Sequence, residues 1–223
     1  MRRLFTSFAV LSLTFGCGSS AAEVDAGAAD AGPDPDAKPS SDSGFPVDGG
    51  VSSDAKASGF VVFVTKAVFV GNVGALSQAD AACQQFAAAA GFGGNFRAWL
   101  STDTSDAISR VPDGAGPWRT PAGAVAFKTK AQWAGYPDVD LSINELGQQT
   151  ENGGLFWTGT DVGGKAAGAA PHPNCKNWSI ASAGGVGAAG NGRIKQDNQA
   201  QSWTNGFGNR CNEPAALLCF QYQ

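Results

Sequence analysis

Five cysteines constrain this chain more than any other feature. Cys17 closes an apolar leader, and the other four, Cys83, Cys175, Cys211 and Cys219, are spread over residues 59–223. Arg2 and Arg3 precede an uncharged stretch from Leu4 to Phe15, too short for a stable membrane-spanning helix and suited to a secretory signal. An exported chain folds in an oxidising compartment, where four remaining thiols are expected to close two disulfides. Spacing leaves all three pairings open. Such staples matter here, because Gly, Pro and Asn punctuate the chain every few residues from Pro112 onward. In the chain-entropy view a Cys175–Cys211 bridge contributes roughly 4 kcal/mol and a Cys83–Cys219 bridge roughly 5. Charged residues make up only 15% of the chain, which excludes a long charged helix or coiled coil.

Thr14-Phe15-Gly16-Cys17 resembles a bacterial lipobox, in which a small residue precedes a cysteine that is acylated. The usual Leu three residues before the Cys is replaced by Thr14, and Leu13 lies one position early. The resemblance implies a lipoprotein signal over 1–17, with Cys17 as the lipidation site. Gly18 in place of a retention Asp implies the outer membrane or cell surface of a Gram-negative bacterium. The alternative is an ordinary signal peptide cut after Ser20-Ala21-Ala22, which discards Cys17 and leaves a secreted or periplasmic protein. Residues 18–58 are almost wholly Ala, Asp, Gly, Pro and Ser, with eight acids against two bases. They hold too little apolar surface to offset the entropy of ordering, so a disordered acidic linker with a reach of roughly 35 Å is expected. Residues 59–223 carry eleven acids and eleven bases. A neutral domain has no general grip on a phosphate backbone, so nucleic acid is not an expected partner.

In residues 59–223, Phe60–Val64 reads as a buried strand. Ser77 reads as the N-cap of a helix over 78–90 that ends at Gly91, with Ala79, Cys83, Phe86 and Ala90 on its inner face. Phe96–Leu100 reads as a strand with Phe96, Ala98 and Leu100 on one side. A second short helix is expected between Thr102 and Arg110, capped by Ser101 or Asp103. Extended pieces are expected at Ala124–Phe127, Leu155–Thr160, Lys176–Ile180 and Ala215–Tyr222. Trp99, Trp157 and Trp178, placed on predicted strands, read as core.

Several of these segments resemble one family in order. Gln78–Ser101, around Cys83, Gly91 and Phe96-Arg97-Ala98-Trp99, looks like the first helix and second strand of collagen endostatin domains. Phe156-Trp157-Thr158-Gly159-Thr160, then Asn174-Cys175-Lys176-Asn177-Trp178, then Cys211 with seven residues before Cys219, resemble the remainder. The chain is most similar to the bacterial endostatin-like lipoproteins (DUF1554). That resemblance implies a C-type-lectin-like α+β domain over 59–223, with a mixed, mainly antiparallel sheet, two short helices and long irregular loops. It also implies nested bridges, Cys83 to Cys219 and Cys175 to Cys211.

Sugar-binding C-type lectins resemble one another in a Glu-Pro-Asn or Gln-Pro-Asp triplet and a later Trp-Asn-Asp, and this chain has neither. Asp138, Asp140, Ser142, Asn144 and Glu145 place oxygens at nearly alternating positions, but Ile143 and Gln149 stand where a calcium loop of the EF-hand type needs Gly and Glu. The single histidine, His172, lies between two prolines and cannot build a zinc site alone. Arg97, Arg110, Arg193 and Arg210 are scattered among acids, so heparin affinity is expected to be weak. No metal and no cofactor is expected. With one His and no G-x-S-x-G turn, and nothing beyond the presence of acids to favour a pair such as Asp138 with Glu145, the chain is not read as an enzyme. Asn177-Trp178-Ser179 matches a glycosylation sequon to which a bacterial lipoprotein gives little meaning.

What remains is recognition through the segments 161–173, 183–192 and 196–209. Aromatics in polar loops anchor binding faces, which makes Trp203, Asn205 and Phe207 the candidate ligand residues. Trp203 has the alternative of packing over the Cys175–Cys211 bridge. The expected function is display of a binding module for a protein or glycan ligand, held to a membrane by its lipid. The alternative is a structural envelope component with no dedicated soluble ligand.

Overall fold

A computed structural model describes residues 59–113, 116–168, 173–193 and 203–223. Cys17, the 18–58 linker and His172 lie outside the described residues. The described chain is an α+β domain. Its elements are β1 (Phe60–Val64), α1 (Leu76–Ala89), β2 (Phe96–Ala98), a 3-10 turn (Ala107–Arg110), β3 (Trp118–Arg119) and β4 (Val125–Phe127). A second 3-10 turn (Lys130–Ala134), β5 (Leu155–Trp157), α2 (Cys175–Trp178), β6 (Val186–Asn191), β7 (Phe207–Arg210) and β8 (Ala216–Gln221) follow. Among the described residues, no helix is long and apolar enough to cross a membrane.

The strands form one mixed sheet in the order β4-β3-β1-β8-β5-β6-β7, with β2 also paired to β8. Among the described strands, pairing is parallel at β1/β3 and β5/β8, and β1 makes one further parallel bridge, Val64 to Asn144. β8 is central because its sequence, ALLCFQ, is buried on both faces, and such a run reads as continuous apolar sequence without alternation. The period-two geometry sends Leu218 and Phe220 into one core and Leu217 and Cys219 into the other. β1 divides likewise, Val62 and Val64 facing the first core and Phe63 the second. Phe96, Ala98 and Leu100 share the second core as the sequence predicts, while Trp99 turns to the first.

The second core lies under α1. Ala79, Cys83 and Ala87 form the buried stripe, with Phe86 only half-buried, so the stripe centres on Ala87 and not on Ala90. The Cys83–Cys219 bridge joins this helix to β8. The helix begins earlier than Ser77 suggests. Ala75 is the N-cap residue, and its N–H donates to Gln78 Oε1 at 2.9 Å, so Gln78 satisfies the donor from within the helix. Gly91, with φ +78°, ends it in the left-handed conformation that glycine adopts without penalty. Asp80 does not cap. Both its oxygens accept from Arg110 at 2.6 Å and Oδ1 also accepts from the Ala98 N–H, which clips α1 to β2 and to the chain beyond it. That demand explains why 102–110 is not a helix. Arg110 must also donate to the carbonyls of Ala98 and Leu100, and only Ala107–Arg110 coils, as a 3-10 turn preceded by Asp106.

The first core is built from rings carried by strands and by irregular chain alike, Trp118, Phe127 and Phe220 on β3, β4 and β8, and Trp99, Trp133 and Trp203 outside the strands. Trp99, Trp118, Trp133 and Trp203 are each at most 1% exposed and pack with Phe127 and Phe220 at centroid distances of 4.4 to 6.5 Å. Buried indole N–H groups usually find an acceptor, and three of these four do. Trp99 Nε1 donates to Thr204 Oγ1, Trp118 Nε1 to the Gln221 carbonyl and Trp203 Nε1 to the Gly135 carbonyl, at 2.7 to 2.8 Å. The bonds from Trp99 and Trp203 give irregular backbone the fixed positions that a ladder supplies elsewhere.

Candidate functional site

The far edge of the sheet, formed by β6 and β7, carries the most distinctive surface. β6 reads Val-Gly-Ala-Ala-Gly-Asn, and its small residues have a packing cause. A Cβ on Gly187 would sit 2.8 Å from Cys175 Sγ and 2.9 Å from the Trp157 ring, so only glycine lets both approach the strand from the core side. On the opposite face, Val186 and Ala188 look outward. The sequence reads 183–192 as a glycine-rich loop; it contains this six-residue strand, whose alternation is diluted by the glycines.

β6 and β7 pair antiparallel, with Val186 opposite Arg210 and Ala188 opposite Gly208. Directly opposed residues share a face, so these four form the outward face of the ribbon. Over it lies a cleft of about 450 Å³, with Val186, Ala188 and Gly208 as floor and Phe207 and Asn205 at one end. Its wall is Asp161, Ala167, Gly168 and Pro173. A tight turn builds that wall: Thr160 bridges Ala166, the Asp161 N–H donates to the Lys165 carbonyl, and Asp161 Oδ1 accepts from the Lys165 N–H. Pro173 is fixed by its carbonyl, which accepts from the Ala188 N–H at 2.5 Å. Val186 is 37% and Phe207 40% exposed, apolar side chains left open to water beside an apolar cleft.

The wall leads into an unusual turn. Cys175, Lys176, Asn177 and Trp178 all have φ between +51° and +64°, a single left-handed helical turn of four non-glycine residues. The sequence predicts a strand here. Left-handed helix costs about 1–2 kcal/mol per residue, so the surroundings must over-determine it. They do so by three fastenings. Cys175 is bridged to Cys211. The Trp178 indole is buried and donates to the Ser101 carbonyl at 2.9 Å. Asp103 accepts from the carboxamides of Asn174 and Asn177, while Asn174 Oδ1 caps the Asn177 N–H. The sequon asparagine is thus bonded into the fold. Trp178 is core as read, although on a turn and not a strand.

Of the three predicted ligand residues, Asn205 and Phe207 line the cleft and Trp203 does not. Trp203 is fully buried, against Trp99 and Phe127 in the first core, whereas the Cys175–Cys211 bridge belongs to the second. Neither a ligand platform nor a lid on that bridge describes it. Reading aromatic residues in a polar segment cannot separate Trp203 from Phe207, because the choice depends on which core lies behind each. The walls at Pro173 and Ala167 and the floor at Val186 and Ala188 carry no chemical signature in sequence.

The oxygen-rich stretch 138–145 is dispersed. Asp138 pairs with Lys128 at 3.0 Å and accepts from Gln132, and these two hydrogen bonds, the one from Lys128 foremost, hold its carboxyl below the usual range. Glu145 is 6% exposed and accepts the Lys66 N–H, while Asn144 Oδ1 accepts from Leu146 and Gln148. The neighbouring cleft is lined by Lys66, Asn144, Gln148 and Glu151, with neither Asp138 nor Glu145 on its wall. Among the described residues, no group of three His, Cys, Asp or Glu side chains is placed to hold a metal ion.

No family model and no curated protein sequence matches the chain.

Proposed function

We propose that this chain is a lipid-anchored envelope protein of a Gram-negative bacterium, non-catalytic, whose C-type-lectin-like, endostatin-like domain binds a protein or glycan ligand in the β6–β7 cleft. The observation that carries this reading is the cleft itself: about 450 Å³ of space floored by small residues at a sheet edge, with Phe207 and Val186 exposed beside it. An exposed aromatic next to an apolar pocket on a rigid ribbon is how a recognition site concentrates its binding energy. Kinship to the bacterial endostatin-like lipoproteins is supported by the nested bridges, Cys83–Cys219 outside Cys175–Cys211, and by the first helix being clipped to the last strand. Acylation at Cys17 rests on its lipobox-like context. The one carboxylate on the cleft wall, Asp161, accepts a local backbone bond, which fits a positioning role better than acid–base work.

The test compares the full chain with Phe207→Ala in glycan-array and labelled-protein binding. Signal lost in the variant, with melting temperature unchanged, is the expected result. Binding that survives Phe207→Ala moves the site elsewhere, and silence in every format favours a structural envelope role. Mass spectrometry of the mature N-terminus is expected to find Cys17 as the first residue, carrying acyl chains.

A further inference from the structure

We infer that the cleft takes an extended peptide that adds to β7 as a further antiparallel strand, seating one apolar side chain over Gly208 and a carboxylate beside Arg210. The inference rests on the cleft being the recognition surface and names the chemistry of its ligand.

β7 is the last strand of the sheet path, and backbone bonding shows which of its groups face outward. The Ala188 N–H donates to the Pro173 carbonyl and the Ala188 carbonyl accepts from Thr158, so both groups of Ala188 point away from β7. Ala188 and Gly208 are therefore a non-hydrogen-bonded pair, and alternation along an antiparallel ladder turns the N–H and C=O of Gly208 to the free edge. The Cys211 N–H donating to the Gly185 carbonyl fits the same phase. At Arg210 the carbonyl is used by the Glu213 N–H, and the N–H faces outward. No described residue bonds the two Gly208 groups. Edge strands are ordinarily blunted by Lys, Pro or a bulge. This one presents a glycine flanked by an exposed phenylalanine.

A peptide residue that exchanges both bonds with Gly208 has its side chain on Gly208's own face, which is the cleft side. Because Gly208 has no side chain, that group passes over the edge into the cleft beside Val186 and Ala188. A Cβ at Gly208 would stand 2.7 Å from Val186 Cγ1, so the slot exists only while position 208 is glycine. The peptide residue two before it falls opposite Arg210, which is exposed and makes no ion pair among the described residues. The ligand is thus an extended segment of the form acid, any residue, apolar.

Fluorescence anisotropy of the full chain against labelled Thr-Glu-Thr-X-Thr-Thr peptides tests this. With X as Phe, binding is expected at least about tenfold tighter than with X as Ala, and N-methylation of X is expected to weaken it about tenfold. Gly208→Ala is expected to abolish the preference for Phe. Arg210→Glu, a change at an exposed side chain, is expected to reverse the preference, so that the peptide with Lys in place of Glu binds better. Absence of peptide binding, indifference to N-methylation, or an unchanged charge preference in Arg210→Glu overturns strand addition. If the peptides fail while a glycan or folded protein still binds in a Phe207-dependent way, strand addition falls and the cleft reading stands. If Phe207→Ala alters nothing, both fall.

Discussion

Trp203 and Phe207 lie four residues apart, and the fold gives them opposite duties. Trp203 is enclosed by rings and donates to the Gly135 carbonyl, so Trp203→Ala opens a cavity and orphans that carbonyl. A loss of about 3–5 kcal/mol is expected in chemical denaturation, whereas Phe207→Ala should stay within about 0.5 kcal/mol while affecting binding. Equal losses in the two variants would mean that Phe207 is also structural. Asp138 makes a prediction with a sign. Lys128 holds its folded carboxyl below the value of an unfolded Asp, so the stabilisation is present above about pH 4 and disappears as pH falls through the lower folded value. Asp138→Asn should therefore be less stable than the natural chain at neutral pH and converge with it in strong acid, read as melting temperature against pH. A constant difference across that range would contradict the assignment.

At the scale of elements, the left-handed turn is the place where local preference and tertiary demand conflict. Lys176 has φ +54° and an exposed side chain, while its neighbours in the turn are fixed by a bridge, a carboxylate and a buried indole. Lys176→Gly removes the steric cost of the left-handed conformation and sacrifices no bond made by the side chain among the described residues. The variant should be about 1 kcal/mol more stable in urea denaturation. A destabilised variant would show that the turn depends on the lysine. The same conflict explains why a strand is the natural reading of Lys176–Ile180. The residue types favour extension, and the departure is imposed by Asp103, 71 residues before Asn174, and Cys211, 36 residues after Cys175. By contrast α1 and β8 are legible, because their burial repeats with the period of their own geometry: Ala79, Cys83 and Ala87 every fourth residue, and β8 buried on both faces without break.

For the whole molecule, the two bridges divide the work between stability and shape. Cys83–Cys219 closes a separation of 136 residues, and Cys175–Cys211 one of 36. Replacing Cys83 and Cys219 together by Ala is expected to cost about 5 kcal/mol, and replacing Cys175 and Cys211 about 4. The second pair should also loosen the wall of the cleft, since Pro173 adjoins the turn that it fastens. Hydrogen exchange should register that loosening as faster exchange of the Ala188 amide, which donates to Pro173. An Ala188 amide as protected in the inner-bridge variant as in the natural chain would separate the bridge from the cleft.

The amino-acid order alone was enough to mark the first helix and the strands at Phe60, Phe96 and Ala216, because each depends on a short-range period, while the α+β class was implied by the family resemblance. It also named Phe207 and Asn205. It could not separate Phe207 from Trp203, nor show that a glycine-rich stretch is an edge ribbon, nor foresee the left-handed turn. Those features arise from groups distant in sequence that compete for the same volume: the rings of the first core draw Trp203 inward, and Cys175 and Trp157 press on Gly187. Such competition leaves no trace in local spacing, so it becomes visible only when the chain is closed on itself.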